Sequence, residues 1–338
     1  MVQCGLPGEV RTVLSHGGGG CTVTLRAGAV GTQAEMSWPG GSAVAQTDAP
    51  LKPRRWYRLW VSADPATGEV VVGQSDAAGG GEAVATARAT GLRLPSGGTL
   101  LVAAENPGAP ARHFTGKIEE PALLAGMARG WGAALSRPDL PVVALWDLGL
   151  AIDSQTMVDT GRQNRHGVLV NTPTRGVVGA RWSGAEHCWR HAPGDYAAVH
   201  FHEGDLDDCR WQPSFTFTVP EGLKSGAYAL HLSCAGGEDW LPLYVLPKRE
   251  GPHAPVVFLA STFTYQAYAN HARGNADAAH MARLKDWGAY PYNADHYPLY
   301  GRSTYNKHSD GSGVAFSSRL RPVLTMRPGY LTFNDPMG

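Results

Sequence analysis

Apolar side chains at every second position constrain this chain more than any other feature. In residues 56–63, Tyr57, Leu59, Val61 and Ala63 share one face, and Trp56 and Trp60 share the other. A period of two belongs to a strand, because successive side chains leave it on opposite sides. Asp64-Pro65-Ala66-Thr67-Gly68 follows, with proline placed to open a turn and glycine to close it. Residues 69–74 then return as the partner, so the stretch predicts a hairpin. Further strands are predicted at 113–118, 142–147 and 166–171, and again at 215–219, 228–232 and 240–246. Composition agrees: 43 glycines and 24 prolines in 338 residues, with 17% charged, favour turn-rich β structure over helical bundles. The glycine tracts 17–20 and 79–81 read as flexible tips. They lack the strand–loop–helix setting and the Lys-Ser/Thr pair of a phosphate loop.

Charge and cysteine content exclude several functions. The formal net charge is zero, so no broad positive field awaits nucleic acid or anionic lipid. Cys4, Cys21, Cys188, Cys209 and Cys234 form no C-x-x-C pair, which argues against a zinc ribbon or a thioredoxin motif. A sparse, odd set of this kind predicts reduced thiols in the cytoplasm. The first residues carry no basic stretch followed by an apolar core, so no signal peptide is expected. The longest apolar run, 142–152, is interrupted by Asp147 and is too short to cross a bilayer.

At Pro255 the pattern changes. Val256-Val257-Phe258-Leu259-Ala260 is continuously apolar, the signature of a strand buried on both faces. Residues 261–270 then read as a functional loop. Residues 277–287 read as a helix, capped by Asn275 or Asp277 and ended by Gly288. Strand, loop, helix is how an open α/β domain begins, with its site beyond the strand's carboxyl end. One strand and one helix cannot bury a core, so the chain reads as cut off. The expected organisation is multidomain and mainly β. Residues 1–183 form a β-sandwich, N-terminally incomplete, whose stretches 113–118 and 167–171 resemble laminin-G or concanavalin-like folds. Residues 184–250 form a small immunoglobulin-like domain, and 251–338 the truncated start of an α/β catalytic domain.

Chemistry concentrates in residues 290–327, which hold Tyr290, Tyr292, Tyr297, Tyr300, Tyr305, His296, His308, Asp310 and the run Arg319-Leu320-Arg321. The stretch has no helical or strand period. A long loop this rich in aromatic residues is costly to order and is usually functional. His308 and Asp310 could orient a ligand from behind, or Asp310 could bond its own loop as an Asx turn. Asn270 could act in the same supporting way or cap a helix, and the cap is preferred. Arg302 and Arg319 could neutralise an anionic site. His200-Phe201-His202-Glu203 with Asp205, Asp207 and Asp208 has the look of a metal cluster. It is read as a strand entering a solvated acidic turn, since no third His or Cys stands at metal spacing. Ser309 and Ser312 lack the G-x-S-x-G elbow of a serine hydrolase.

Three stretches carry a specific likeness: 258–270; Tyr300-Gly301 with Tyr305-Asn306-Lys307-His308-Ser309-Asp310-Gly311-Ser312-Gly313; and Ser317-Ser318-Arg319-Leu320-Arg321-Pro322 with Met326-Arg327-Pro328. They resemble the large (beta) subunit of N,N-dimethylformamidase, and the order of modules is similar too. The resemblance implies an iron-dependent amidohydrolase that cleaves N,N-dimethylformamide to formate and dimethylamine. It implies one ferric ion held by two tyrosines and a glutamate. The tyrosines match Tyr265 and Tyr305, with Tyr268 and Tyr300 as the alternatives. The glutamate ligand and the catalytic residues would lie past Gly338, so the chain alone is expected to be inactive. The implied partners are a small (alpha) subunit and further copies of the large subunit. Phenolate suits such a site: it is a hard anionic donor, and only a nearby cation makes it abundant when free tyrosine titrates near ~10. The competing reading is a non-catalytic carbohydrate-binding sandwich, with Trp38, Trp56 or Trp60 as sugar platforms.

Overall fold

The structure is a computed structural model that describes residues 1–6, 8–130, 141–251 and 253–331. It divides into two compact units, Met1–Asp205 and the residues from Leu206 onward. Strands are numbered along the chain. The hairpin is present: β6 (Trp56–Asp64) pairs antiparallel with β7 (Glu69–Asp76), Val61 opposite Val72. Asp64 builds the turn. Its Oδ1 accepts from the Ala66 N–H and its Oδ2 from the Thr67 hydroxyl, both at 2.9 Å. Trp60 lies across Gly73, where an added Cβ would sit 2.0 Å from the indole, so no larger residue fits.

This hairpin sits in a seven-stranded sheet ordered β15 (Thr174–Val177), β16 (Ala198–Phe201), β10 (Gly116–Glu119), β1 (Val2–Cys4), β6, β7 and β8 (Glu82–Arg88). A five-stranded sheet runs β5 (Gly41–Gln46), β4 (Thr32–Trp38), β3 (Cys21–Ala27), β2 (Arg11–Gly18) and β9 (Thr99–Val102). Ala34, Met36 and Ala45 from the second sheet share one core with Val70 and Val72 from the first. Val71 is buried as well, so β7 is covered on both faces and its pattern is not a simple in–out alternation. A four-stranded sheet, β11 (Ala122–Leu124), β12 (Val142–Asp147), β13 (Thr156–Asp159) and β14 (Gly167–Val168), adds a core of Ala144, Trp146, Met157 and Leu169.

Several expectations need correction. Strand 166–171 shrinks to Gly167–Val168. The expected division at 183/184 leaves out β16, which pairs with β10 and β15 and so belongs with the first unit. Among the described residues of 206–250 the only ladder is β17 (Gly226–Cys234) with β18 (Gly237–Val245). An immunoglobulin fold needs two packed sheets, so that label is not carried. Residues 215–219 alternate as a strand would but pair with nothing described, and Phe215 and Phe217 are exposed. Residues 256–260 are not a strand either. Val257 is 82% exposed and Leu259 86%, with no described neighbour to accept their backbone groups. Periodicity reports what a segment can bury, whereas a strand also requires a partner edge. No helix among the described residues is long and apolar enough to cross a membrane.

Burial separates the real strands from the look-alikes in stability. Phe114→Ala, at a ring 1% exposed, should cost about 3–5 kcal/mol. Phe217→Ala should stay within about 0.5 kcal/mol. Urea unfolding of the two variants checks the contrast, and equal losses would contradict the corrected strand assignment.

Candidate functional site

The second unit has little regular structure around its tyrosines. After the apolar run come α1 (Thr262–Tyr268) and α2 (Ala278–Asp286), then single 3-10 turns at Ala294–His296 and Pro298–Tyr300. The expected helix at 277–287 is α2. Asp277 is its cap, accepting from the His280 N–H at 2.8 Å, and Gly288 follows in a left-handed conformation. The expected functional loop 261–270 is instead mostly α1. Residues 262–268 contain no glycine or proline, and helical spacing sets Tyr265 and Tyr268 three apart on neighbouring positions of one face.

Immediately after α1, Asn270 adopts φ 58° and is buried. Asparagine tolerates that left-handed state better than most residues. Its amide donates to the carbonyls of Pro322 at 2.7 Å, Gly301 at 3.2 Å and Tyr300 at 3.3 Å, and its oxygen accepts from the Leu324 N–H at 2.8 Å. Ser303 and Thr304 donate their hydroxyls to the Ala267 carbonyl at 2.8 and 3.1 Å. Asn306 donates to the Ala272 carbonyl at 2.6 Å and accepts from the Ala272 N–H at 3.0 Å. Arg321, 2% exposed, donates to the Ser318 carbonyl at 2.8 Å, the Ser317 hydroxyl at 2.8 Å and the Arg302 carbonyl at 3.1 Å. Of the basic run, then, Arg321 is buried and Arg319 is exposed. Gly301 is required here: its φ is 84°, and a Cβ would lie 2.0 Å from the Arg321 guanidinium.

This clamp presents phenols in pairs. Tyr305 stacks on Tyr268 with ring centroids 4.1 Å apart and 18° between planes. Tyr265 faces Tyr244 of β18 at 6.5 Å. The hydrogen bond to Tyr305 raises the Tyr268 pKa, and burial followed by contact with Tyr265 raises that of Tyr244. In each pair, then, one phenol has its pKa raised in part by its neighbour. Tyr300, the alternative to Tyr305, stacks instead on Tyr297 at 4.9 Å. A cavity of about 620 Å³ is walled by Tyr244, Tyr265, Tyr268, His271, Arg273 and Tyr330. None of its described lining residues is a carboxylate.

Sequence reasoning missed two of these residues. Tyr244 sits within a strand pattern and gives no local signal of its pairing. His271 follows Asn270 directly, so its neighbourhood was the available hint. Its ring meets Tyr268 edge-on at 5.6 Å, its Nδ1 is buried without a hydrogen bond, and burial followed by Arg273 holds its pKa below the usual value. Asp310 accepts from the Ser312 N–H at 2.9 Å and from its hydroxyl at 2.6 Å, the Asx-turn arrangement. His308 is buried, with its N–H on the Ser312 carbonyl at 2.8 Å. In the first unit, the His200 and His202 rings lie 4.2 Å apart, and His202 Nδ1 is 3.2 Å from Asp205. Trp38 and Trp60 are buried, which removes the paired aromatic platform that a carbohydrate-binding reading needs.

Residues 174–337 match the family described as N,N-dimethylformamidase beta subunit-like, C-terminal. Over 327 residues, 86% of this chain, the sequence is 34% identical to the N,N-dimethylformamidase beta subunit of Alcaligenes sp. This chain belongs to the N,N-dimethylformamidase beta subunit family. It is also 38% identical over 236 residues, 64% of its length, to the N,N-dimethylformamidase beta subunit of Paracoccus aminophilus. The chain spans 42% and 30% of the lengths of these two relatives. The phenol pairs, the clamp and the cavity all lie inside the part that the beta subunit-like family covers.

Two measurements probe this site's construction. Asn270→Gly keeps the left-handed backbone but removes the amide, and should cost about 1–3 kcal/mol in urea unfolding with a weaker tyrosine signal in near-UV circular dichroism. Asp295 gives a pH dependence. Burial alone would raise its pKa, but the backbone N–H groups of residues 273–276 outweigh burial and hold it below the usual carboxylate value. Its Oδ2 accepts from Asn275 at 2.9 Å and Ala276 at 3.1 Å. A depressed folded-state pKa adds stability that is complete above the unfolded value of ~3.9 and is lost as pH falls through the folded one. Asp295→Asn should flatten that acid-side loss, and an unchanged acid limb would refute the assignment.

Proposed function

We propose that Tyr265 and Tyr305 are phenolate ligands of a mononuclear ferric site in an amidohydrolase large subunit, which cleaves N,N-dimethylformamide or a similar small amide to formate and an amine. The observation that supports this reading most is the clamp, which brings the tyrosine-bearing segments of the family, α1 and residues 300–306, together beside one cavity. The donor set suits the ion. Phenol oxygens are hard donors, the buried His271 Nδ1 has no hydrogen bond, and Arg273 on the cavity wall favours the anionic form of Tyr268. Iron bound there would supply Lewis acidity toward a carbonyl and toward water.

The chain's own residues do the rest. Tyr268 stacks on Tyr305 and Tyr244 faces Tyr265, which orients both candidate ligands. Asn270 and Arg321 hold the two segments in fixed register, so a bound amide would meet a preset geometry. Pro242, Met326 and Pro328 give the cavity an apolar side that limits water. His271, neutral at neutral pH, stands beside the stacked phenols as a proton acceptor or further donor atom. The relatives are named as beta subunits. We extend that to this chain as assembly with a small alpha subunit and with further large subunits.

The test is iron content and the visible phenolate-to-iron band, measured on the protein expressed from its full gene. Tyr265→Phe and Tyr305→Phe should each lower iron per chain more than twofold and shift or abolish the band, since a phenyl ring cannot replace an anionic oxygen. Tyr297→Phe should leave both unchanged. If Tyr300→Phe loses iron while Tyr305→Phe retains it, the register within the loop is wrong. If no tyrosine substitution changes iron content, the two-phenolate site is wrong.

A further inference from the structure

The first unit contains a second cavity, of about 790 Å³, unrelated to the tyrosine cluster. Its floor is apolar: Phe114, Trp146, Met157, Leu169 and Phe201 line it, and all but Phe201 are buried. The exposed side chains of Val168 and Val170, 75% and 60% accessible, extend this apolar surface to the mouth. A cavity of this size with an apolar floor and a few polar groups has the form of a small-molecule site. One lining residue, Ala103 (φ 68°), holds left-handed backbone without being glycine or asparagine. Such conformations are unfavourable and gather at ligand sites.

The polar rim indicates which ligand. Its two carboxylates are already engaged: Glu203 takes the Thr115 hydroxyl, and Asp205 takes the His202 N–H at 3.0 Å and lies 3.2 Å from its Nδ1. Burial, followed by Arg11, holds the His113 pKa below the usual value, so this ring is neutral at neutral pH. His166 Nδ1 accepts from the Asp159 N–H at 3.1 Å, which leaves the proton on Nε2 as a donor. Arg165 is anchored through its backbone, its N–H on Asp159 at 2.7 Å and its carbonyl accepting from the Trp146 indole at 2.8 Å. Its guanidinium makes no ion pair among the described residues. Arg165 and His166 therefore offer donors, Arg165 with full positive charge, while Glu203 and Asp205 keep their negative charge, so an anion is favoured only beside Arg165 and His166.

We propose that this cavity binds a monocarboxylate with an apolar tail of medium length. The tail would lie on the Phe114–Trp146–Phe201 floor and the carboxylate at Arg165 and His166. Most of the site precedes residue 174, where the family match begins, so it stands or falls separately from the amidase reading. The experiment is calorimetric titration of the full chain with decanoate, decanol and decylamine. Decanoate should bind, and decanol should bind at least tenfold more weakly. Arg165→Gln and Val168→Glu both change exposed side chains at the mouth, so folding should persist by circular dichroism. Each should weaken decanoate at least tenfold, and Arg165→Gln should leave decanol unchanged. The proposal is overturned if decanoate shows no binding at millimolar concentration or keeps its affinity in both variants. It is equally overturned if decylamine binds as tightly as decanoate.

Discussion

A buried guanidinium satisfied by carbonyl and hydroxyl oxygens, rather than by a carboxylate, organises the second unit. Arg321 spends its donors on the Ser318, Arg302 and Tyr300 carbonyls and the Ser317 hydroxyl. Burial lowers its pKa, but arginine titrates so high that the charge remains. Five fixed N–H donors in one plane suit such a role, because irregular chain leaves many carbonyls without a ladder partner. Ser317 also exchanges hydrogen bonds with Gln266 at 2.8 and 2.9 Å, which ties the same residue to α1. Removing the charge would leave buried acceptors unmatched on several segments at once. That is why residues with so little regular structure can hold a defined arrangement of phenols.

The first unit solves the same problem by different means. There the backbone groups pair in antiparallel ladders, and side chains need only fill space between sheets. Two buried polar side chains among them, Gln74 and Glu105, are well partnered. Gln74 accepts from the Thr32 N–H and hydroxyl and from the Thr47 hydroxyl at 2.8–2.9 Å, and it donates to the Ala49 carbonyl at 2.6 Å. Glu105 takes Arg26 at 2.8 Å and Thr12 at 2.8 Å. A buried group with all its partners costs little, and the packing around it can then be tight.

The phenol pairs connect construction to chemistry. Tyrosine hydroxyls in a cavity wall normally need hydrogen-bond partners, and here the partners are other tyrosines. That arrangement raises the pKa of Tyr268 and of Tyr244. Family membership and this pairing bear on the same residues from independent directions. The proposed iron site rests on both.

How much was legible depended on range. The turn at Asp64–Gly68, the Asp277 cap, the end of α2 at Gly288 and the Asx turn at Asp310 are local. Their hydrogen bonds close within a few residues, so residue type and spacing determined them. The motifs around Tyr265 and Tyr305 were also recognisable in the sequence, through resemblance. What the tertiary structure decided is what depends on distant partners. Residues 215–219 and 256–260 have the apolar patterns of strands yet find no described edge to pair with. Arg319 and Arg321 look equivalent in the sequence, and only the packing of residues 269, 300–302 and 317–318 selects Arg321. Tyr244 gains its place beside Tyr265, and His271 its contact with Tyr305, from chain more than twenty residues away. Periodicity and turn chemistry record what a segment can do alone. Which neighbour satisfies it is fixed only when the chain closes on itself.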